Sequence, residues 1–168
     1  MIETIISDID NVITDSREWA KSAPCCENDG VHNRKAWDYH HSQVHVVKLN
    51  NEIKYYYQDL INKGLKRIFF ITSREDINGL RDKTIEQMQE FFGDMIGIEN
   101  VSLYLFMRNA LDYRPAWVIK EETMLQKILP FYKVDLAIDD SLTNVQMFRA
   151  YNIETFHYVD LTETMKFW

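Results

Sequence analysis

No stretch of the sequence approaches the ~20 consecutive apolar residues of a membrane-spanning helix. The opening residues, MIETIISD, lack the basic region and small-residue cleavage site of a signal peptide, so no leader is expected. Cysteine is scarce. The only two, Cys25 and Cys26, are adjacent, and sequence neighbours rarely bridge each other. A reducing, cytoplasmic compartment is therefore expected. A basic excess is also missing, since 26 acidic residues against 19 Lys and Arg give a formal charge of −7. That argues against a broad non-specific footprint on nucleic acid, which needs a basic face, but not against a grip on one strand end or a nucleotide. Part of the acidic excess could belong to a metal site, where a cation would offset it. There is no internal repeat and no low-complexity segment. What remains is 168 residues, 46% hydrophobic and 27% charged, the size and composition of one globular domain with one core.

Apolar runs of strand length recur at residues 2–6, 68–71, 101–106, 135–138 and 155–159, rich in Ile, Phe, Val and Tyr. Their continuous apolarity suits strands buried on both faces, as in parallel sheets. Helical spacing lies between them. Val46, Val47, Leu49, Ile53, Tyr56, Tyr57, Leu60 and Ile61 form one stripe, closed by Gly64. A second runs from Leu80 through Met88 to Phe92, and a third from Val118 to Leu129, stopped by Pro130. The fourth runs from Leu142 to Tyr151. Alternating strand and helix predicts an α/β fold, a Rossmann-like doubly wound parallel sheet in a single domain over residues 1–168. Residues 17–43 keep no clean period, and a long irregular segment in a small domain is usually functional. Residues 17–45 are expected to form a small cap or lid inserted after the first strand. Cys25 and Cys26 with His32, His40, His41 and His45 match no zinc-module spacing, and a polar, histidine-rich lid is the better reading. Trp37 and Tyr39 could stack on a base or pack the lid down.

The chemistry-bearing residues follow the strands. TIISDIDNVITDS sets Asp8 and Asp10 after the first, FFITSRE sets Thr72, Ser73 and Arg74 after the second, and LAIDDS sets Asp139 and Asp140 after the fourth. Lys120 stands in the third helical stretch, in WVIKEE. Ligands of open α/β sheets bind beyond the carboxyl ends of the strands, so four distant segments would meet at one rim. The set suits phosphoryl transfer through an acyl phosphate. Asp8 is the natural nucleophile. Asp10, two residues on, can act as general acid and then base. Oxygen ligands suit Mg²⁺, with Asp139 and Asp140 completing its shell. Thr72 could donate to a transferring oxygen, and Lys120 could neutralise the phosphoryl charge.

DIDNVITDS, FFITSR, VIKEE and LAIDDS resemble, in order, the four motifs of the haloacid dehalogenase-like phosphohydrolases. The chain is most similar to the 3′-phosphatase domain of phage-type polynucleotide kinase-phosphatase and its stand-alone relatives. KAWDYH (Trp37, Asp38), the run Met107, Arg108, Asp112, Arg114 and Pro115 leading to Lys120, and the set Val145, Met147 and Arg149 all fit its pattern, over residues 1–160. No G-x-x-x-x-G-K-[ST] loop occurs in the sequence, so a kinase half is not expected. The resemblance implies that Asp8 carries the phosphoryl group and Asp10 is the acid and base. Thr72 and Lys120 would hold phosphate oxygens, and Asp8, the main-chain carbonyl of Asp10, Asp139 and Asp140 would bind Mg²⁺. Ser73, Arg74, Arg17, Trp37, Arg108 and Arg114 would contact substrate. The implied activity is removal of a 3′-phosphate from nucleic acid ends or nucleotides. The alternatives are a nucleotidase for free (deoxy)nucleoside monophosphates and a non-catalytic binding module. The chain departs from the pattern at Asn11, where relatives usually carry Gly, and at Ala116, where they often carry Asp; these departures bear on substrate choice.

Overall fold

The computed structural model describes residues 1–16, 39, 41–77 and 79–159. Most of the expected lid, with Arg17 and Trp37, lies outside the described residues. Five parallel strands form the main sheet: β1 (Thr4–Ser7), β4 (Arg67–Glu75), β5 (Ser102–Arg108), β6 (Leu136–Asp139) and β7 (Glu154–His157). Their spatial order is β5-β4-β1-β6-β7, which puts the first strand at the centre. A two-residue antiparallel ribbon, β2 (Thr14–Asp15) with β3 (Lys48–Leu49), leads from β1 toward the first helix. The helices are α1 (Lys54–Asn62), α2 (Leu80–Phe92), α3 (Ala116–Thr123) and α4 (Leu142–Ala150). Among the described residues no helix is long and apolar enough to cross a membrane.

Strand side chains alternate faces, so the unbroken apolar runs feed two cores at once. Ile5, Ile68, Phe70, Leu136 and Ile138 point to one side, against Tyr57 and Leu60 of α1 and Met88, Phe91 and Phe92 of α2. Ile6, Phe69, Ile71 and Ala137 point to the other, against Met147 and Phe148 of α4 and Met124 and Ile128 beyond α3. The doubly wound sheet expected from the strand–helix alternation is the observed one.

Two elements differ from the sequence reading. The first helix starts at Lys54, not Val46, because Lys48 and Leu49 pair with Asp15 and Thr14 and a 3₁₀ turn at Asn51–Ile53 intervenes. Asn50 enforces the break: its Nδ2 donates to the Val12 carbonyl at 2.9 Å and its Oδ1 accepts from the Glu52 N–H at 3.3 Å. The helix ends as expected, with Gly64 at φ +99° and the Leu65 N–H returning to the Leu60 carbonyl at 3.0 Å. The third helix is α-helical only to Thr123. Met124–Ile128 widens into a π turn, with the Leu129 N–H reaching the Met124 carbonyl at 2.9 Å, which leaves both Met124 and Ile128 fully buried.

Candidate active site

The strand order reverses between β1 and β6, and it is beyond the carboxyl ends at such a switch point that open α/β sheets bind their ligands. Asp8 follows β1 directly, and its N–H donates to the Ile138 carbonyl of β6 at 2.9 Å, carrying the ladder one residue further. Its Oδ1 accepts from the Ile9 N–H at 2.8 Å. Asp139 ends β6 and is fully buried. Lys120, from the second turn of α3, lies between them, its Nζ 3.0 Å from Asp8 Oδ2 and 2.6 Å from Asp139 Oδ2. Asp139 Oδ1 accepts from the Ser141 N–H at 3.0 Å and from Asn144 Nδ2 at 2.9 Å. Asp140 Oδ2 accepts from Asn11 Nδ2 at 2.9 Å. Asn11 sits at φ +59°, a left-handed conformation that Asn tolerates, and its Oδ1 accepts from the Ser16 N–H and hydroxyl.

Asp8, Asp139 and Asp140 each present an oxygen, all within 4.8 Å of one another. Burial pushes the Asp8 carboxyl well above the usual range, and Asp139, Asp140 and Asp10 add to the rise while Lys120 opposes it. Asp140 is also pushed up, first by burial, with the Asn11 hydrogen bond opposing. Burial alone would lower Lys120, but Asp139 and Asp8 outweigh it and its ammonium is held above its ordinary value. Three carboxylates around one ammonium leave net negative charge in a buried place, and every offered donor is a hard oxygen. These residues fit a divalent cation such as Mg²⁺.

The Asp10 carboxylate is not one of the three clustered groups and is held separately. Arg74, with no exposed surface, grips it through Nε, at 3.2 and 3.1 Å to its two oxygens, and through Nη2 at 2.7 Å. The guanidinium is held in turn by Thr84 Oγ1 at 3.0 Å and Gln87 Oε1 at 2.7 Å, and Gln87 Nε2 donates to the Val44 carbonyl at 2.8 Å. Arg74, expected on the substrate, is thus placed behind Asp10. Thr72 is buried where β4 shifts register against β5, and its hydroxyl accepts from the Arg74 N–H at 3.2 Å. Such irregularities re-aim strand ends. Ser73 is half-buried at the same rim. Arg108 is buried, with Nε donating to the Ser73 carbonyl at 2.9 Å and Nη1 to the carbonyls of Asp112 and Arg114 at 2.7 and 2.6 Å. Arg114 is half exposed and pairs with Asp112 and Glu122.

Sequence reasoning passed over Asn144, Gln87, Thr84, Ser7 and Tyr57. Ser7 donates to the Asp8 carbonyl at 2.8 Å and shares a 2.6 Å hydrogen bond with the buried Tyr57 hydroxyl. Asn144 follows the aspartate pair within one helical turn, a signal that was readable. The others reach their partners only through tertiary folding.

Part of a protein in the structure of the Pnkp1/Rnl/Hen1 RNA repair complex is similar to the chain in fold. Identity is 21% and the TM-score 0.63, covering 94% of this chain and 42% of that one. A second structure of the Pnkp1/Rnl/Hen1 complex gives 22% and 0.61, covering 94% and 46%. The chain thus spans less than half the length of these relatives. A haloacid dehalogenase-like family hydrolase from Streptococcus pneumoniae shares the fold at 10% identity and a TM-score of 0.51, over 92% of this chain and 83% of that one. No curated protein matches the sequence. The model of one family takes in residues 3–160, nearly the whole chain, and the chain belongs to the family it describes, the phosphatase domain of polynucleotide kinase PNKP.

Proposed function

We propose that the chain is a Mg²⁺-dependent phosphomonoesterase that removes the 3′-phosphate from a nucleic acid end or nucleotide through a phospho-aspartyl intermediate on Asp8. The observation that carries this reading is the meeting of Asp8, Asp139 and Asp140 within 4.8 Å around Lys120 at the carboxyl ends of the central strands. Family membership supports phosphate-ester chemistry, and the RNA repair assembly of the similar structures supports a strand end as substrate.

In the first step an oxygen of Asp8 bonds to phosphorus as the bond from phosphorus to the 3′ oxygen breaks, and Asp10 protonates the departing oxygen. In the second step a water attacks the same phosphorus, Asp10 takes its proton, and the Asp8 carboxylate leaves. Lys120 and the Thr72 hydroxyl stabilise charge on the transferring oxygens. Arg74 orients Asp10 toward the leaving group, and the half-buried Ser73 stands at the rim for the rest of the substrate. Mg²⁺, held by Asp8, Asp139, Asp140 and the Asp10 carbonyl, would supply positive charge between the attacking carboxylate and the phosphate.

Asp8→Asn is expected to reduce phosphate release from a 3′-phosphorylated oligonucleotide to background while leaving the circular dichroism spectrum unchanged. A variant as active as the wild type would refute the assignment of the nucleophile. The acidic charge of −7 favours a small substrate over a long strand. Rates on the oligonucleotide and on free mononucleotides, measured side by side, separate the strand-end phosphatase from a nucleotidase.

A further inference from the structure

We propose that Trp117, with Leu111 and Tyr113 just before it, forms a stacking platform for the terminal nucleoside of the substrate. This rests on the phosphatase reading and names what that site holds beyond the phosphate.

The topology puts these residues at the right end of the sheet. β5 runs to its carboxyl end at Arg108, so residues 109–115 and the first turn of α3 lie along the active-site rim. β5 is two strands from β1, about 10 Å at the usual strand spacing. That is the reach of one nucleotide from a phosphate on Asp8. Trp117 precedes Lys120 by three residues on α3, and such positions neighbour each other on a helix, with Cβ atoms about 5–6 Å apart. Helical side chains lean toward the N-terminus, which here is the rim side. Trp117 is therefore set above Lys120, whose Nζ is 3.0 Å from Asp8. It is 39% exposed and makes no ring contact among the described residues.

The loop that brings it there is rigid and oddly furnished. Arg108 ties it to the Ser73, Asp112 and Arg114 carbonyls, and Asp112 Oδ1 accepts from the Arg114 N–H at 3.1 Å. Inside this frame Leu111 holds φ +62° with 69% of its surface exposed, and Tyr113 is 45% exposed. The left-handed conformation is disfavoured for a residue with a Cβ, and exposing a large apolar side chain offsets none of that cost. Strain of this kind beside a reaction centre points to a use. The chain's charge of −7 gives the use its form. On a chain of net negative charge a phosphodiester backbone is attracted weakly, and stacking of a base on an aromatic ring is a contact that works there all the same. The exposed Phe131 does not share this position, because it follows the π turn near the opposite end of the strands.

The test compares kcat/KM for a deoxynucleoside 3′-monophosphate with that for base-free deoxyribose 3-phosphate, with Mg²⁺, in the wild type, Trp117→Leu and Trp117→Phe. Both variants keep an apolar side chain for packing, but only Phe keeps a π face. Trp117→Leu is expected to lower the ratio about tenfold, mainly through KM, and Trp117→Phe to restore most of it. Equal ratios in wild type and Trp117→Leu overturn the proposal, and so do equal losses in Leu and Phe, which would mean packing alone. If the wild type hydrolyses neither these esters nor the 3′-phosphorylated oligonucleotide, the phosphatase reading fails instead. The platform is then judged by binding of a 3′-phosphorylated dinucleotide, which must quench tryptophan fluorescence in the wild type and quench it less in Trp117→Phe.

Discussion

Asn11 does with one side chain what a glycine in the same turn could not. The backbone needs φ +59°, which Gly adopts freely and Asn tolerates. The amide then tethers Asp140 through Nδ2 and is itself held by Ser16. Asn11→Gly keeps the turn and removes the tether. The expected result is a fall of about tenfold or more in apparent Mg²⁺ affinity, as when an outer partner of a metal ligand is lost. Stability should drop by about 2–3 kcal/mol, because the hydrogen bonds to Asp140 and from the Ser16 N–H and hydroxyl are lost together. Mg²⁺ titration of phosphate release and a denaturant melt check the two halves, and an unchanged Mg²⁺ dependence would show that Asp140 needs no tether. Residue 11 was legible as a turn position that demands left-handed backbone. The pairing with Asp140 was not, because spacing along the chain does not encode a contact 129 residues away. The same holds for Arg74. Its place after a strand beside an anion site suggested a ligand contact, and only the fold reveals Thr84 and Gln87 drawing the guanidinium inward onto Asp10.

Elements were legible where one periodicity acted alone. α2 runs from Leu80 to Phe92 as its stripe predicts, and the strands keep their places with ends moved by one to four residues. The first helix was misread because Val46, Val47 and Leu49 keep helical spacing by coincidence, while Leu49 is claimed by pairing with Thr14. β1 itself is only four residues long, and its start is held from outside. Asp135 Oδ2 accepts from the N–H groups of Glu3 and Thr4 at 2.9 and 3.2 Å. Burial raises the Asp135 carboxyl, but those N–H groups and Lys133 outweigh it, and the net position lies below the usual range. A carboxyl lowered by folding stabilises the fold above the unfolded value near 3.9 and loses that contribution as pH falls through the folded value. Asp135→Asn is therefore expected to be less stable than wild type at pH 7, by no more than about 1 kcal/mol after solvent screening. The gap should close as pH falls from 4 toward 2. Urea midpoints of both proteins across that range check it, and a gap that persists at the acid end would assign the effect to lost shape, not charge.

For the molecule as a whole, the strand order makes the site. Placing β1 between β4 and β6 sets Asp8 beside Asp139 and Asp140, which the chain separates by more than 130 residues. That much was legible, because the motifs stand at strand ends and the alternation of strand and helix leaves few topologies. What topology does not decide is how so much negative charge stays folded. Asp8 and Asp139 share one ammonium, Asp140 has one amide, and burial penalises the ionised forms of Asp8 and Asp140. A divalent cation binding there relieves repulsion that only the folded state feels, so binding must raise stability by the linkage of ligand to fold. At Mg²⁺ ten times its dissociation constant the gain is about 1.4 kcal/mol, or roughly 3–5 °C in Tm for a domain of this size. The wild type should show that rise between EDTA and millimolar Mg²⁺. Asp140→Asn should melt at or above the wild type in EDTA, since one buried charge is gone, and should show little or no rise with Mg²⁺. Equal Mg²⁺-induced shifts in the two proteins would place the cation away from Asp140 and dissolve the three-carboxylate site.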